Sequence, residues 1–339
     1  MVEKENNKKE CEEAKAKEIK NFEEYNAFEE VPYEGQKTLG TRYVLTRKDD
    51  GTMKARFVVK GFQEQKVFQS DSPTASRESL KLYLSVVANE KWTLKSYNVR
   101  SAFLQSNTLK REVFVKPPPE KAKPGFVWKL IKPVYGLIDA SRQWFLTIKN
   151  HLETLGMTQS LGDSCLFYFR QEEKLGGLIL LHVDDFLAAG NETFENKVMG
   201  TLLETFSFGK VSCDKFSYTG ISIRQEDDKT IRIDQKNFTQ SLPIYQYCPQ
   251  DPDNILSQDE NNLIRKSTGQ LNWLSSQTRP DLSYDAFYLS TCLNIATNRD
   301  AKYSTKVLEK SKEKQVQLKF SHLGLLEDLH IELYVDASL

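Results

Sequence analysis

Asp184 and Asp185 stand side by side inside an otherwise apolar run, Leu178 to Gly190, LILLHVDDFLAAG. Two adjacent carboxylates repel each other, and an apolar setting opposes their ionisation. Along a strand, neighbouring side chains point to opposite faces. The pair can share one site only where the backbone turns, as at the tip of a strand–Asp–Asp–strand hairpin. There the carboxylates could hold a divalent cation such as Mg2+, which prefers few carboxylates together with waters and phosphates. Two such ions can clamp an in-line phosphoryl displacement, one at the attacking oxygen and one at the leaving group. The simpler reading is a solvated hairpin tip. The apolar flanks weigh against it, because turns usually carry Gly, Asn or Pro neighbours. A two-ion site also needs a third carboxylate from another strand, and the run LKSYNVRSAFLQS at 94–106 is the natural place to look.

The elements that would position these residues are legible in outline. Residues 1–30 carry mixed charge and little core, which suits a solvated helix or disorder. Two β-rich runs in TRYVLTRKDDGTMKARFVVKGF meet at Asp50-Gly51, a hairpin signal. In SPTASRESLKLYLSVVANEKW, Ser72 and Pro73 suit an N-cap and first helical position, and Leu80, Leu84, Val87 and Ala88 share a face. A helix is predicted over DASRQWFLTIKNHLETLG, with Trp144, Ile148, Leu152 and Leu155 on one face and Gly156 at its C′ position. SCLFYFR and GGLILLHVDDFLAAG read as strands, NETFENKVMGTLLETF as a helix, and FSYTGISIRQ and KTIRIDQ as two strands joined by a polar turn. The stretch to about Ser311 is mostly helical, and LHIELYVDASL closes the chain as a strand. Strands and helices mix without a βαβ rhythm, which predicts an α+β fold.

Bulk composition narrows the class. The 339 residues are 39% hydrophobic and 28% charged, enough for a sizeable core. Lys+Arg and Asp+Glu balance at 47 each, so any basic surface for nucleic acid must come from local clustering. Five dispersed cysteines form no CxxC pair, which argues against zinc and a disulfide framework. No secretory signal follows Met1 and no apolar run reaches membrane-spanning length. These features predict a reduced intracellular protein with no membrane partner, and nothing in the pattern sets an oligomeric state.

Several segments, in order over about residues 20–339, resemble the reverse transcriptase of copia-type LTR retrotransposons. KARFVVKGFQE (Lys54–Glu64) resembles the fingers strand, NVRSAFLQS (Asn98–Ser106) motif A, and VYGLIDASRQW (Val134–Trp144) the Tyr-Gly-Leu block. HVDDFLAAG resembles motif C, FSYTGISI and IRIDQKNF the hairpin after the palm, and GQLNWLSSQTRPDLSYDAFYLS the downstream connection. YVDAS (Tyr334–Ser338) resembles the first strand of an RNase H domain.

The resemblance implies a right-hand polymerase with fingers, palm and thumb and an antiparallel palm sheet. After a leader at 1–20 read from its charge, it implies fingers and palm at 21–245, thumb or connection helices at 246–318, and the stub of an RNase H-like domain at 319–339. It further implies DNA synthesis from dNTPs on a primed RNA or DNA template with two Mg2+ ions, in the cytoplasm, nucleus or a particle. Asp184 and Asp185, with the Val99 backbone carbonyl, would bind metal. Lys54 and Arg56 would meet the triphosphate, Phe103 would crowd the sugar, and Tyr135, Gly136 and Arg142 would line the nucleotide and template side.

Motif A departs from the family at its bridging aspartate, where this chain has Asn98. One formal charge is lost, and no neighbouring acid replaces it: Lys95, Ser96, Tyr97, Arg100 and Ser101 flank the position. A weakened or inactive polymerase is therefore expected, with a non-catalytic nucleic-acid-binding relic of the same fold as the alternative. Ser106, Thr219 and His182 are lesser departures. Only Asp336 of an RNase H site precedes Leu339, so no RNase H activity is expected of this chain, which looks truncated.

Overall fold

The computed structural model describes residues 2–48, 51–64, 69–245, 251–325, 328, 330 and 332, with side chains from residue 7 onward. The fold is α+β, as the irregular mixture of elements predicts. Among the described residues no helix is long and apolar enough to cross a membrane. Two compact units are present: Met1–Ala75, Tyr97–Phe186 and Glu192–Lys210 form the first, and Ser76–Ser96, Leu187–Asn191 and Val211–Leu339 the second.

The first unit begins with the helix Val2–Glu24. Ile19 and Phe22 of this helix are buried, and the Phe22 ring meets Phe57 edge-on at 5.6 Å. The next elements are two antiparallel strands, Thr41–Arg47 and Met53–Val59, paired from Thr41↔Val59 to Arg47↔Met53. Gly51 in their connection has φ +82°, while Asp50 lies outside the described residues. One sheet of this unit has, in order, a strand that begins at Asp185, then Lys174–His182, Leu166–Gln171 and Met157–Gln159. Its last three strands pair antiparallel. The helix Ala140–Thr154 buries Trp144, Ile148 and Leu152, while Leu155 is only half-buried; Gly156 follows with φ +83°.

In the second unit the helix Arg77–Asn89 buries Leu80, Leu84, Val87 and Ala88, as their spacing predicts. Its cap differs from expectation. The chain stays extended past Pro73, and Ser76 accepts the Ser79 N–H at 3.0 Å. FSYTGISIRQ also differs: it is a hairpin, Lys215–Tyr218 against Ile221–Gln225, not one strand. Its turn is Thr219 (φ +47°) and Gly220 (φ +80°). A β-branched residue is an uncommon choice for the left-handed region, so the sequence hid this turn. Ile231–Asp234 extends the sheet, and Leu318–Phe320 pairs with Ile233–Ile231 at its edge. Residue 319 thus lies within a paired strand, whereas the YVDAS run lies outside the described residues. The helices Gln258–Gln277, Ser283–Cys292 and Asn298–Glu313 enclose a core that includes Ile264, Leu271, Leu274, Leu289 and Leu308.

Candidate active site

The Asp–Asp turn is built by a strained residue and two hydrogen bonds. One strand stops at His182 and the next starts at Asp185. Val183 between them has φ +58°, a conformation that a β-branched residue rarely adopts. Such strain persists only where the surroundings over-determine it. Here the Trp144 indole N–H donates to the Val183 carbonyl at 2.7 Å, and the Val99 N–H donates to the Asp184 carbonyl at 2.8 Å. Trp144, buried and edge-on to Phe206 at 5.6 Å, is core as its helix spacing predicts. It also holds the turn, a role that nothing in its spacing reveals.

Asn98 and Asp185 are in direct contact. The Asn98 Nδ2 donates to Asp185 Oδ1 at 2.7 Å. An ionised carboxylate only accepts, so the amide must turn its NH2 group toward it. Asp184 projects into a cleft of about 410 Å³ that Asn98, Val99 and Arg100 also line. Burial, and then the neighbouring Asp185, hold the Asp184 carboxyl above its usual pKa; Lys54 and Arg56 pull the other way.

The paired strands supply the opposite wall. Lys54 and Arg56 line the cleft, with Lys48 beside them. Burial, and then Arg56, lower the Lys54 ammonium pKa, while Asp184 opposes the shift. The Arg56 guanidinium stacks over the Tyr135 ring at 5.2 Å, and Tyr135 meets the Phe103 ring at 4.7 Å. Tyr135 lines the cleft; burial, and then Asp184, raise its phenol pKa. Lys48 was not among the sequence candidates, although its place at the hairpin end beside Arg47 was a usable signal. The N-terminal helix adds Lys17, Glu18 and Asn21, and Glu18 Oε1 accepts the Phe57 N–H at 3.1 Å. No periodicity singles these residues out.

Four expected site residues stand apart from the cleft lining: Asp185, held by Asn98, together with Phe103, Gly136 and Arg142. Phe103 is buried beneath Tyr135. Gly136 has φ +94°, and a Cβ there would lie 1.9 Å from the Val59 carbonyl oxygen. Its close approach is thus to the 53–59 strand, whose Val59 N–H donates to the Tyr135 carbonyl at 2.8 Å. Gly61 completes the junction, since its Cβ would stand 2.0 Å from the Gly136 oxygen. Arg142 donates to the Asp71 carbonyl and to Gln69 Oε1, both at 3.0 Å, and so fastens the 69–71 segment. Arg111 bridges Glu64 and Asp139 at 2.7 Å each and ties the end of the same strand region to the start of the 140–154 helix.

The residues suit one divalent cation better than two. Asp184 is a half-buried carboxylate facing the cleft, where a cation would offset its desolvation. Position 98 offers an N–H donor where a two-ion cluster needs a bridging anion, and that donor already holds Asp185. Among the described residues no group of three or more His, Cys, Asp or Glu is placed to hold a metal ion.

The architecture is that of a right-hand polymerase. It is similar to the foamy viral protease-reverse transcriptase dRH solved in complex with ds DNA, at a TM-score of 0.52 and 13% identity over 90% of this chain and 48% of that one. Residues 25–244 match the reverse transcriptase (RNA-dependent DNA polymerase) family, and the chain belongs to it. The relatives include the retrovirus-related Pol polyprotein from transposon RE1 of Arabidopsis thaliana, 28% identical over 80% of this chain and 20% of that protein. That from transposon TNT 1-94 of Nicotiana tabacum is 31% identical over 52% of this chain and 14% of its own length. The Ty1-DR1 Gag-Pol polyprotein of Saccharomyces cerevisiae (strain ATCC 204508 / S288c) is 25% identical over 82% of this chain and 18% of its own length. The domain is of the copia type, and the chain spans 14–20% of the length of these curated relatives.

Proposed function

We propose that this chain is a copia-type RNA-directed DNA polymerase domain whose nucleotidyl transfer is strongly weakened by Asn98. The reaction joins a primer 3′-oxygen to the α-phosphorus of a dNTP and releases diphosphate. The observation that carries this reading is one cleft with Lys48, Lys54 and Arg56 on one wall and Asp184 on the other. The cationic side chains would bind the triphosphate by charge-assisted hydrogen bonds. Tyr135, braced by Arg56 and Phe103, would form the floor beneath the nucleotide. A template–primer duplex would be held mainly through its phosphates. Mg2+, when bound, supplies charge neutralisation at the reacting phosphate. Asp184 and the Val99 carbonyl are the groups that would hold it.

Losing the bridging carboxylate removes charge stabilisation of several kcal/mol, or roughly a thousandfold or more in rate. Primer extension on a homopolymer template tests this. The chain as written should extend poorly, and Asn98→Asp should extend roughly a thousandfold faster. Full activity without the substitution would sink the reading. A non-catalytic nucleic-acid binder on the same fold is the second reading, favoured by the bond between Asn98 and Asp185. Salt-dependent duplex binding without extension by Asn98→Asp would select it.

A further inference from the structure

We infer that Asn98 makes this a one-cation site, which holds a divalent ion tightly only when that ion arrives with a nucleoside triphosphate. The inference rests on the polymerase reading and goes beyond it, since weak chemistry alone does not say what the cleft still binds.

Asn98 does more than lack a charge. Its Nδ2 stands 2.7 Å from Asp185 Oδ1, at hydrogen-bond distance. An NH2 group cannot ligate a cation, and its polar hydrogen occupies the side of the Asp185 oxygen that it faces. Rotating the amide would set Asn98 Oδ1 against an anionic oxygen with no proton between them. The carboxylate therefore selects the orientation that occupies it. A cation competing for Asp185 must first break this bond.

Asp184 is differently placed. It faces the cleft together with Lys48, Lys54, Arg56 and Arg100. A lone divalent ion would meet the carboxyl groups of Asp184 and Glu18 there but also five cationic side chains, Lys17 among them. A triphosphate reverses the balance, because it supplies phosphate oxygens to the ion and about four negative charges to those side chains. Mg2+ is bound typically by one or two carboxylates plus substrate phosphates, and Asp184 with a triphosphate meets that requirement. The second ion lacks both its bridging anion and a disengaged Asp185. The cleft would thus load nucleotide and turn it over poorly.

Mn2+ serves as the probe. The full chain is mixed with a dideoxy-terminated primer–template duplex, Mn2+ and the matching dNTP, and retained Mn2+ and nucleotide are counted after ultrafiltration. Counted above the duplex alone, the chain as written should retain one Mn2+ per dNTP and hold Mn2+ only weakly without dNTP. Asn98→Asp should retain two per dNTP. Asn98→Ala removes the N–H donor without adding charge, so Asp185 is released and Mn2+ affinity without nucleotide should rise severalfold. Two ions per dNTP in the unsubstituted chain, one in Asn98→Asp, or no gain in Asn98→Ala would each overturn the inference. Failure of every variant to retain dNTP would instead overturn the polymerase reading. Circular dichroism of each variant establishes that it is folded.

Discussion

At position 98 one amide replaces a carboxylate and changes both charge and connectivity. The Asn98 N–H bonds directly to Asp185, where a bridging carboxylate would need a cation between the two groups. The chain as written should therefore be stable without divalent ions. Asn98→Asp adds a third carboxylate to a partly buried pair, and like charges this close destabilise. Its melting temperature should fall in EDTA and recover with Mg2+, whereas the unsubstituted chain should respond little; differential scanning fluorimetry measures both. Gly136 makes a second demand on one residue. A methyl group there meets the Val59 carbonyl at 1.9 Å and must also adopt φ +94°. Gly136→Ala should cost about 3 kcal/mol or more, read as a shifted urea midpoint.

Single elements are held by groups whose cost depends on pairing. Arg279 is 2% exposed, donates to both Asp281 carboxylate oxygens at 2.9 Å and reaches the Ser311 carbonyl at 2.9 Å. It ties the turn after the 258–277 helix to the end of the 298–313 helix. Removing Arg279 leaves the Ser311 carbonyl without this donor and a cavity where the buried side chain stood, at a cost of about 2–4 kcal/mol, while Asp281, 30% exposed, returns to water. Arg279→Ala should lose that much in a denaturant melt, and Arg279→Lys should recover little because it lacks the planar fork. Glu18 of the N-terminal helix accepts the Phe57 N–H at 3.1 Å. Burial raises its carboxyl pKa; its bond to Phe57 and the neighbouring Lys54 and Arg56 oppose the shift. A raised folded pKa means that the folded chain holds this proton more tightly than the unfolded chain. That stabilisation is full below the usual carboxylate range and is lost as pH rises through the folded value. Glu18→Gln keeps an acceptor for Phe57 and removes the charge. It should raise the urea midpoint at neutral pH and leave it nearly unchanged near pH 4, about the usual glutamate pKa.

Across the whole molecule, neither unit is a continuous stretch of chain. The second unit draws the helix Arg77–Asn89 from far upstream, and that helix contributes the buried Tyr83, Leu84 and Val87. Asn89 also accepts the Leu323 N–H at 2.8 Å through its side chain. Residues 211–339 alone should therefore fail to melt cooperatively by circular dichroism. Supplying residues 76–96 in cis through a flexible linker should restore a cooperative transition. If 211–339 melts cooperatively alone, this helix is dispensable to that unit.

Much of this protein was determined by local chemistry that a sequence displays. Strand alternation, helix periodicity and ordered blocks were enough for the α+β class, the polymerase resemblance and the missing carboxylate at 98. Residue type and immediate neighbours decide those features. Tertiary structure alone decided what Asn98 does, because its partner Asp185 is distant in sequence and amide orientation follows from the facing acceptor. It likewise made Trp144 a brace for a strained Val183, assigned Gly136 to the 53–59 strand and Arg142 to the 69–71 segment, and brought Lys48 and Glu18 to the cleft. Such contacts depend on which backbone atoms the fold brings together, and spacing along the chain does not encode that.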